Sequence, residues 1–510
     1  MVGWTGALYL GSGRRGPVFA PPEVGVLVLG PPRSGKSSAL VVPNVLAAPG
    51  AVVSTSTKPD VAAAAGRWRS RLGPSLFFDP SQTFRPPSGT EACGWSPLVA
   101  ASAWEGALRV ASSMVAASSI GQHGGEGAHW AERASALLAP LFHAGALGSC
   151  SMADVASWVA RRDVAEAAEI LGGGGLGSPG RQLAADALAG VLASEDRERS
   201  AIFSSASGVL AAYRSPAALE CAEGPPVDVR GLVQGGGTLF VVAPAAAQAL
   251  LAPVVVGLLE EVRAAAYERA ATPEPPAAYE RVATPEPPAV YEPPATSQRA
   301  AAGVRGVVER RGAVGPERPA VLLALDEVAN IAPLPSLPSI AAEGGGQGLL
   351  TLACLQDLSQ ARVRWGAAAE GFLSLFGRTV VLPGLGDART LETISLLAGE
   401  AERLVRSTTV SAGRRGGGWS VGRSPRTERS LPAFAVARGE PGRALVLGGG
   451  AGPERVGLTP FFSAEPWRAM AAAGDELERL SRSRARVATR WARDRSVVGW
   501  ERGQARGLGR

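Results

Sequence analysis

The most constraining feature of this sequence is the segment GPPRSGKS at residues 30–37, which directly follows the apolar run VGVLVLG at residues 24–30. The run is short and rich in β-branched residues, which predicts a buried strand of a parallel sheet. Helical apolar spacing follows Lys36. The segment fits G-x-x-x-x-G-K-[ST] without a mismatch, and such a loop between strand and helix turns its backbone N–H groups around phosphate oxygens. The sequence therefore predicts a phosphate-binding loop.

The residue types in this loop predict a nucleotide with a divalent cation. Gly35 lets the backbone approach the phosphates, Lys36 can reach the β- and γ-phosphates, and the Ser37 hydroxyl can help to hold Mg²⁺. Lys36 is one of only two lysines in the chain, with Lys58, since 49 of the 51 basic residues are arginines. We therefore expect ATP and Mg²⁺ as cofactors. The expected nucleotide-binding residues are Gly30, Pro31, Pro32, Arg33, Ser34, Gly35, Lys36, Ser37, Ser38 and Asp326.

Two further polar sites follow apolar runs later in the chain. Asp326 and Glu327 come directly after VLLAL, and Gln356 comes after LLTLACL. A polar side chain at the carboxyl end of a parallel strand points into the ligand crevice of the sheet. We expect Asp326 to hold Mg²⁺ together with Ser37, and Glu327 to act as the general base on the attacking water. Gln356 is expected to sense the γ-phosphate, so the predicted catalytic residues are Glu327, Lys36 and Gln356.

Composition divides the chain into an α/β part and insertions. Ala, Leu, Ser, Arg and Glu dominate residues 95–222, which predict successive helices, one of them over 154–171. The repeat AAYERAATPEPP, AAYERVATPEPP is too rich in proline for helix or sheet, and the Gly, Arg and Ser of 407–430 predict a loop. The fold class is therefore α/β, with a mostly parallel sheet and an inserted all-helical domain. The expected boundaries are 1–94, 223–264 and 319–465 for the nucleotide-binding domain, 95–222 for the helical domain, 265–318 for a Pro-rich linker and 466–510 for a basic helical tail.

The charge of the chain is concentrated at its end. The net charge is +6, whereas residues 479–510 hold ten arginines against Asp494 and Glu501 and so carry +8. A basic tail can meet nucleic acid, an anionic membrane face or an acidic partner, or it can serve solubility alone.

Several classes of protein are excluded. No apolar run approaches the ~20 residues needed to span a bilayer, and the first residues lack the apolar core of a signal peptide. The four cysteines lie far apart without a CxxC pair, which excludes a zinc ribbon or a disulfide framework. His123, Glu126 and His129 lack the spacing of a metal site on one helix.

These motifs resemble those of the type IV coupling proteins, the TraG/TraD-type ATPases of conjugation and type IV secretion. The resemblance rests on the phosphate loop, on STKPD, on LLALDEVANIAPLPSLP with the downstream CLQDLSQ, and on ISLLAGE at residues 394–400. It implies a RecA-like P-loop domain with an all-helical domain, a homo-hexameric ring and a place at the cytoplasmic face of the membrane. The implied partners are DNA, single-stranded and bound regardless of sequence, a relaxase-like or other secreted protein, and membrane subunits of the secretion system.

Two features depart from the family pattern. Family members begin with transmembrane helices, so this chain is expected to be a shortened form, to have a wrongly assigned start, or to dock onto a separate membrane subunit. The turn before the Gln356 strand reads GGGQG at residues 344–348, where the family often carries an arginine that acts across the subunit boundary. Arg378 and Arg389 are the candidates to replace it.

Three functions remain open from the sequence. The first is an ATP-hydrolysing coupling protein that drives DNA or nucleoprotein into a conjugative channel. The second is a double-stranded DNA translocase of the FtsK type, although no compact winged-helix sequence stands at the C-terminus. The third is a nucleotide-binding substrate receptor with little hydrolysis, which the missing arginine favours and the Asp326–Glu327 pair disfavours.

Overall fold

The structure is a computed structural model. It describes residues 6–122, 126–173, 178–272, 320–411, 418–450 and 452–473. The Pro-rich linker beyond its first residues, His123 and most of the predicted basic tail lie outside the described residues.

Most strands of the described residues join one twelve-stranded sheet. The strands of the molecule are β1 (Tyr9–Gly13), β2 (Gly16–Phe19), β3 (Val26–Leu29), β4 (Val52–Ser56), β5 (Ser75–Phe78), β6 (Glu91–Ala92), β7 (Thr238–Val242), β8 (Val321–Leu325), β9 (Leu349–Leu355), β10 (Arg378–Val381), β11 (Glu400–Ser411), β12 (Gly418–Arg429), β13 (Arg443–Leu447) and β14 (Glu454–Gly457). The spatial order of the sheet is β2-β1-β14-β13-β10-β3-β9-β8-β4-β7-β5-β6, and β11 and β12 form a separate pair.

The sheet changes from parallel to antiparallel at β10. From β10 to β6 every neighbouring pair is parallel, whereas β10, β13, β14, β1 and β2 pair antiparallel. β3, β9 and β8 are buried along their whole length, which explains why they appear in the sequence as short continuous apolar runs. The carboxyl ends of β3, β9, β8 and β4 therefore lie side by side at one edge. This is the RecA-like α/β architecture that the motifs imply.

Helices cover both faces of the sheet and form the region between β6 and β7. They are α1 (Val42–Ala47), α2 (Asp60–Arg69), α3 (Pro97–Ala100), α4 (Trp104–Ala117), α5 (Glu126–Leu147), α6 (Met152–Arg161), α7 (Ala165–Gly172), α8 (Pro179–Leu192), α9 (Asp196–Val209), α10 (Pro216–Glu223), α11 (Val229–Gly235), α12 (Gln248–Ala271), α13 (Val328–Ile331), α14 (Leu337–Glu343), α15 (Leu358–Trp365), α16 (Phe372–Leu375), α17 (Ala388–Leu397) and α18 (Ala433–Arg438). A π-helical turn, Ser37–Val41, precedes α1.

Helices α3, α4, α6, α7, α8 and α9 pack around α5, whose Leu137, Leu138 and Phe142 are fully buried. The single helix predicted over 154–171 is wrong. It is two helices, because α6 ends where Arg162 adopts the left-handed conformation with φ of 57°. The helical region also continues to the end of α11, past the predicted boundary at residue 222.

The loop predicted over 407–430 is wrong as well, because β11 and β12 form an antiparallel ribbon there. The strands mix charged, hydroxyl-bearing and β-branched residues without a period of two, and their described side chains are largely exposed, so no apolar face marks them in the sequence. Helix α12 likewise runs to Ala271, beyond the predicted boundary at 264, since the first proline of the repeat is Pro273. None of the described helices is long and apolar enough to cross a membrane.

Arg69 of α2 connects its helix to the segment that follows α1 and to the start of β7, at the amino edge of the sheet. Its guanidinium is buried and donates to Ala48 O at 2.5 Å, to Gly50 O at 2.6 Å and to Thr238 Oγ1 at 2.7 Å. Burial lowers the pKa of Arg69 to about 10, which leaves it charged at neutral pH. The side chain therefore satisfies backbone groups at the end of α1, the helix that follows the phosphate loop.

We expect Arg69→Met to reduce the free energy of unfolding by about 2 kcal/mol or more, because each acceptor left unpaired in the interior costs about 1–3 kcal/mol. The measurement is the urea midpoint of the variant beside the parent protein. Arg85→Met, which truncates an exposed arginine, is the control and should leave the midpoint unchanged. Equal midpoints for the parent and the Arg69 variant would contradict this role.

Candidate nucleotide-binding site

The predicted phosphate loop lies between β3 and the π-helical turn. Gly30 N donates to Leu355 O at 3.1 Å, which fixes the start of the loop against the end of β9. A Cβ on Gly30 would lie 2.9 Å from Ser34 Oγ, and Gly35 has φ of +92°, so both positions require glycine. The loop is thus held in a closed turn whose following helix presents backbone N–H groups without partners in the helix.

Lys36 points back over the loop. Its Nζ donates to Gly30 O at 2.6 Å and to Pro31 O at 3.0 Å, and the residue is only 6% exposed. An ammonium group held this way puts a positive charge inside the turn. Phosphate oxygens are the natural counter-charge for such a group.

Ser37 and Asp326 meet although they are 289 positions apart in sequence. Ser37 Oγ donates to Asp326 Oδ2 at 2.5 Å, and Thr55 Oγ1 of β4 donates to Asp326 O at 3.0 Å. Burial raises the pKa of Asp326, against the opposing effects of the Ser37 hydrogen bond and the Lys36 charge. A hydroxyl beside a buried carboxylate is the oxygen pair that Mg²⁺ prefers.

Glu327 stands beside this pair in a left-handed conformation, with φ of 55°. A non-glycine residue in this region is strained, and such strain is concentrated at functional sites. Burial raises the pKa of Glu327, and the Asp326 charge adds to this, while Lys36 and hydrogen bonds from Gln356 and Asn330 oppose it. A carboxylate with a raised pKa is a better proton acceptor from water than an exposed glutamate.

Gln356 directly follows β9 and contacts Glu327 through its side chain. Its backbone N–H donates to Gln360 Oε1 at 2.9 Å, one turn into α15. The structure therefore brings Lys36, Ser37, Asp326, Glu327 and Gln356 together at the carboxyl edge of the sheet.

The residues of this edge fit a nucleoside triphosphate with Mg²⁺. Ser34 Oγ is buried in the loop and has no hydrogen-bond partner among the described residues, so it can donate to a phosphate. Lys36 supplies the cation, and Ser37 with Asp326 supplies oxygen ligands. No cluster of three or more metal-ligating side chains occurs in the described ranges, so the cation would need phosphate oxygens to complete its shell.

Helix α15, which follows Gln356, is bonded to α17, and the sequence did not predict these contacts. Leu358 N at the start of α15 donates to Thr390 Oγ1 of α17 at 3.2 Å. Arg362 Nη2 lies 2.5 Å from Asp387 Oδ2, and this carboxylate also caps α17. The only sequence signal is the D-x-x-T pattern of a helix N-terminus at Asp387. The connection ties the element that follows Gln356 to the helix that carries the β11–β12 ribbon.

The two arginines proposed to act across a subunit boundary occupy different places. Arg378 begins β10 at the amino edge of the sheet, half-buried, and donates to Gly377 O at 3.0 Å. Arg389 lies in the first turn of α17, exposed, with its Nη2 2.8 Å from Glu370 Oε1. Arg389 is therefore at the carboxyl edge and accessible to a neighbouring molecule.

Burial of the Asp326 carboxylate destabilises the folded protein at neutral pH, although the same carboxylate is needed to bind the cation. Because burial raises the pKa of Asp326, the folded state holds the proton more tightly than the unfolded chain, and stability falls as the pH rises from 3.8 through the raised value. We expect Asp326→Asn to raise the melting temperature at pH 7 without nucleotide, but to lose the further increase caused by Mg-ATP. Thermal melts with and without Mg-ATP test this, and a lower melting temperature without nucleotide would contradict it.

The parallel sheet, the phosphate loop and the paired carboxylates define a RecA-like P-loop protein. Residues 4–275 match the family model described as type IV secretory system conjugative DNA transfer. Residues 320–434 match the model described as the TraM recognition site of TraD and TraG. The first match covers more than half of the chain, so the chain belongs to the type IV secretory system conjugative DNA transfer family.

Solved structures of a coupling protein have the same fold. The bacterial conjugative coupling protein TrwBdeltaN70 in an unbound form shares 20% identity with a TM-score of 0.59, over 88% of each chain. TrwB in complex with the non-hydrolysable ATP analogue ADPNP shares 21% identity with a TM-score of 0.58, over 87% of each chain. TrwB in complex with ADP and Mg²⁺ shares 20% identity with a TM-score of 0.58, also over 87% of each chain. No match was found among curated protein sequences.

Proposed function

We propose that this protein is an ATP-hydrolysing coupling protein that drives DNA or nucleoprotein into a conjugative or type IV secretion channel. The observation that carries the proposal is the meeting of Lys36, Ser37, Asp326, Glu327 and Gln356 at one edge of the sheet, in a chain of the conjugative DNA transfer family. The ATP analogue and the ADP with Mg²⁺ that TrwB binds support ATP and Mg²⁺ as the cofactors.

The residues of the site divide the chemistry of hydrolysis among them. Mg²⁺, when bound, supplies positive charge that stabilises the phosphates of ATP during transfer. Ser37 and Asp326 would hold the cation, while Lys36 and the backbone N–H groups of the loop would bind the phosphates. Glu327 accepts a proton from the attacking water at its carboxylate. Gln356, whose side chain lies beside Glu327 and lowers the pKa of that carboxylate, would position it and respond to the γ-phosphate.

The partners follow from the family and from motor physics. We propose single-stranded DNA bound through its phosphates, a relaxase-like or other secreted protein, and membrane subunits of the secretion system. The match to a TraM recognition site supports a relaxosome partner. A homo-hexamer at the cytoplasmic face of the membrane would put each site beside a neighbouring subunit, and Arg389 is the arginine we propose to act there, since it is exposed at the carboxyl edge.

The domain roles are proposed in the same way. The sheet with its carboxyl-edge site is the motor, and the helices between β6 and β7 contact the cargo. Glu260 connects the two parts, because this buried carboxylate of α12 accepts from Arg263 Nε at 2.6 Å and from the Ser336 hydroxyl, which lies downstream of Glu327. Movement of the segment after Glu327 would therefore reach α12, which packs on α4.

The experiment is steady-state ATP hydrolysis with no DNA, with single-stranded DNA and with duplex DNA. We expect single-stranded DNA to raise turnover most. A preference for duplex DNA would favour a translocase of the FtsK type. ATP binding without turnover under any condition would support a nucleotide-binding substrate receptor, the alternative that the arginine-free GGGQG turn favours.

A further inference from the structure

The β11–β12 ribbon is the most unusual part of the described surface. Twelve residues of each strand pair in register, from Glu400 opposite Arg429 to Ser411 opposite Gly418. The described side chains of both faces are largely exposed, including Leu404 at 70%. A two-stranded ribbon without a packed face is only marginally stable alone. Binding of another molecule to at least one face would therefore stabilise this ribbon.

Arginines stand directly opposite each other at two places on the ribbon. Arg403 faces Arg426 on one face, and Arg406 faces Arg423 on the other. The first pair shares the carboxylate of Glu428, whose oxygens lie 3.9 Å from each guanidinium. The second pair has no carboxylate within 4.0 Å in the described part of the chain. Like charges opposite each other destabilise a ladder, so an anion bound between Arg406 and Arg423 would stabilise the ribbon.

The ribbon is attached close to the nucleotide site. α17 follows β10, the neighbour of the phosphate-loop strand, and leads directly into β11. At the base of the ribbon Ser430 N donates to Gly399 O at 3.0 Å. At its other end α17 is bonded to the start of α15 through Thr390, next to Gln356. The ribbon therefore follows α17, and α17 is hydrogen-bonded to the segment next to Gln356, where we expect the γ-phosphate.

We propose that the β11–β12 ribbon is an arm that binds the phosphate backbone of nucleic acid through Arg406 and Arg423. The proposal rests on the proposed function, which makes DNA the cargo. Thr408, which lies on the same face two positions along β11, adds an exposed hydroxyl donor beside the arginine pair, and hydroxyls with arginines are the usual phosphate contacts. An acidic protein partner would also meet the charge, but the core of a protein interface is depleted of charge. On this face the arginine pair separates Leu404 and Pro425 from Val421, so its centre is charged rather than apolar.

The test is the binding of a fluorescent single-stranded oligonucleotide by the full chain and by the double variant Arg406→Gln/Arg423→Gln. We expect the affinity to fall about tenfold or more, and the slope of log K against log salt to become shallower by about 1.4, at ~0.7 per lost phosphate contact. Arg403→Gln/Arg426→Gln is the matched control, because it removes the same charge from the opposite face, where Glu428 already compensates it. ATP hydrolysis without DNA should be unchanged in both variants.

The outcomes separate this proposal from the proposed function. If the parent protein binds DNA and the Arg406/Arg423 variant binds it with the same affinity and salt slope, the arm is refuted while the coupling function stands. If the parent protein hydrolyses ATP but binds no DNA, the proposal that DNA is the cargo and the proposal that the ribbon binds it are both refuted. Equal losses in both double variants would show an effect of net charge and overturn the specific site. A change in oligomeric state alone would assign the ribbon to a second copy of the chain.

Discussion

Replacement of Lys36 by methionine is expected to lower ATP turnover by about 100-fold or more, because removal of one preorganised group that stabilises developing charge has this order of effect. The lysine side chain is buried and its ammonium lies on Gly30 O and Pro31 O inside the loop. Methionine keeps the apolar stem of the side chain, one atom shorter, and removes the charged ammonium group. Nucleotide affinity should fall as well, since the ammonium is the cation inside the turn.

The measurement is nucleotide binding and steady-state hydrolysis by Lys36→Met beside Lys36→Arg. The arginine variant keeps the charge but replaces a compact ammonium by a planar guanidinium, so we expect a partial loss of turnover. Thermal melts without nucleotide should show both variants folded. Parent-like turnover in the methionine variant would remove this loop from the catalytic site.

Glu327→Gln is the second substitution with a large expected effect. We expect it to abolish most ATP turnover while leaving the affinity for Mg-ATP intact. General base catalysis contributes about 100- to 10,000-fold, so we expect hydrolysis to fall by about 100-fold or more. The amide has the shape of the carboxylate and cannot accept a proton from water. Since Lys36, Ser37 and Asp326 are untouched, Mg-ATP should bind at least as tightly as to the parent protein.

The pH dependence gives an independent readout of Glu327. Burial raises its pKa, so the fraction in the base form falls as the pH is lowered through a value above the ordinary 4.5 for glutamate. The acidic limb of turnover in the parent should therefore lie above 4.5. Glu343→Gln on the exposed face of α14 is the control and should keep parent turnover. A Glu327→Gln variant with undiminished hydrolysis would assign the base to another residue.

The parallel half of the fold and the site were predictable from sequence for a physical reason. Strands buried on both faces are continuous apolar runs, and each predicted site residue stands where such a run ends. The contact of Ser37 with Asp326 across 289 positions follows, because β3 and β8 are parallel strands on either side of β9 and end at the same edge of the sheet. The residue roles stay proposals until the variants are measured.

The antiparallel half was not predictable in the same way. β1 and β2 contain Gly11, Gly13 and Gly16, and glycine weakens a strand pattern. The described side chains of β11 and β12 form no buried face, so only the pairing of the two strands defines them. The bond between Leu358 N and Thr390 Oγ1 depends on how two helices meet, which neither segment encodes alone.

The connection from Gln356 through α15 and α17 to the ribbon suggests how the nucleotide state is transmitted. Gln356 begins the segment, Thr390 and Asp387 bind α15 to α17, and α17 carries the ribbon. A change around the γ-phosphate would move rigid elements rather than loops. This arrangement would let hydrolysis change the position of a DNA-binding arm.

We propose that this protein uses ATP to move along DNA. The most direct measurement is the displacement of streptavidin from a biotinylated end of single-stranded DNA by the purified full chain, with ATP, with a non-hydrolysable analogue and with Glu327→Gln. We expect the parent protein to displace streptavidin with ATP and not with the analogue, and Glu327→Gln to displace none. Displacement that is equal with the analogue, or DNA-stimulated hydrolysis that never displaces streptavidin from either end, would contradict it.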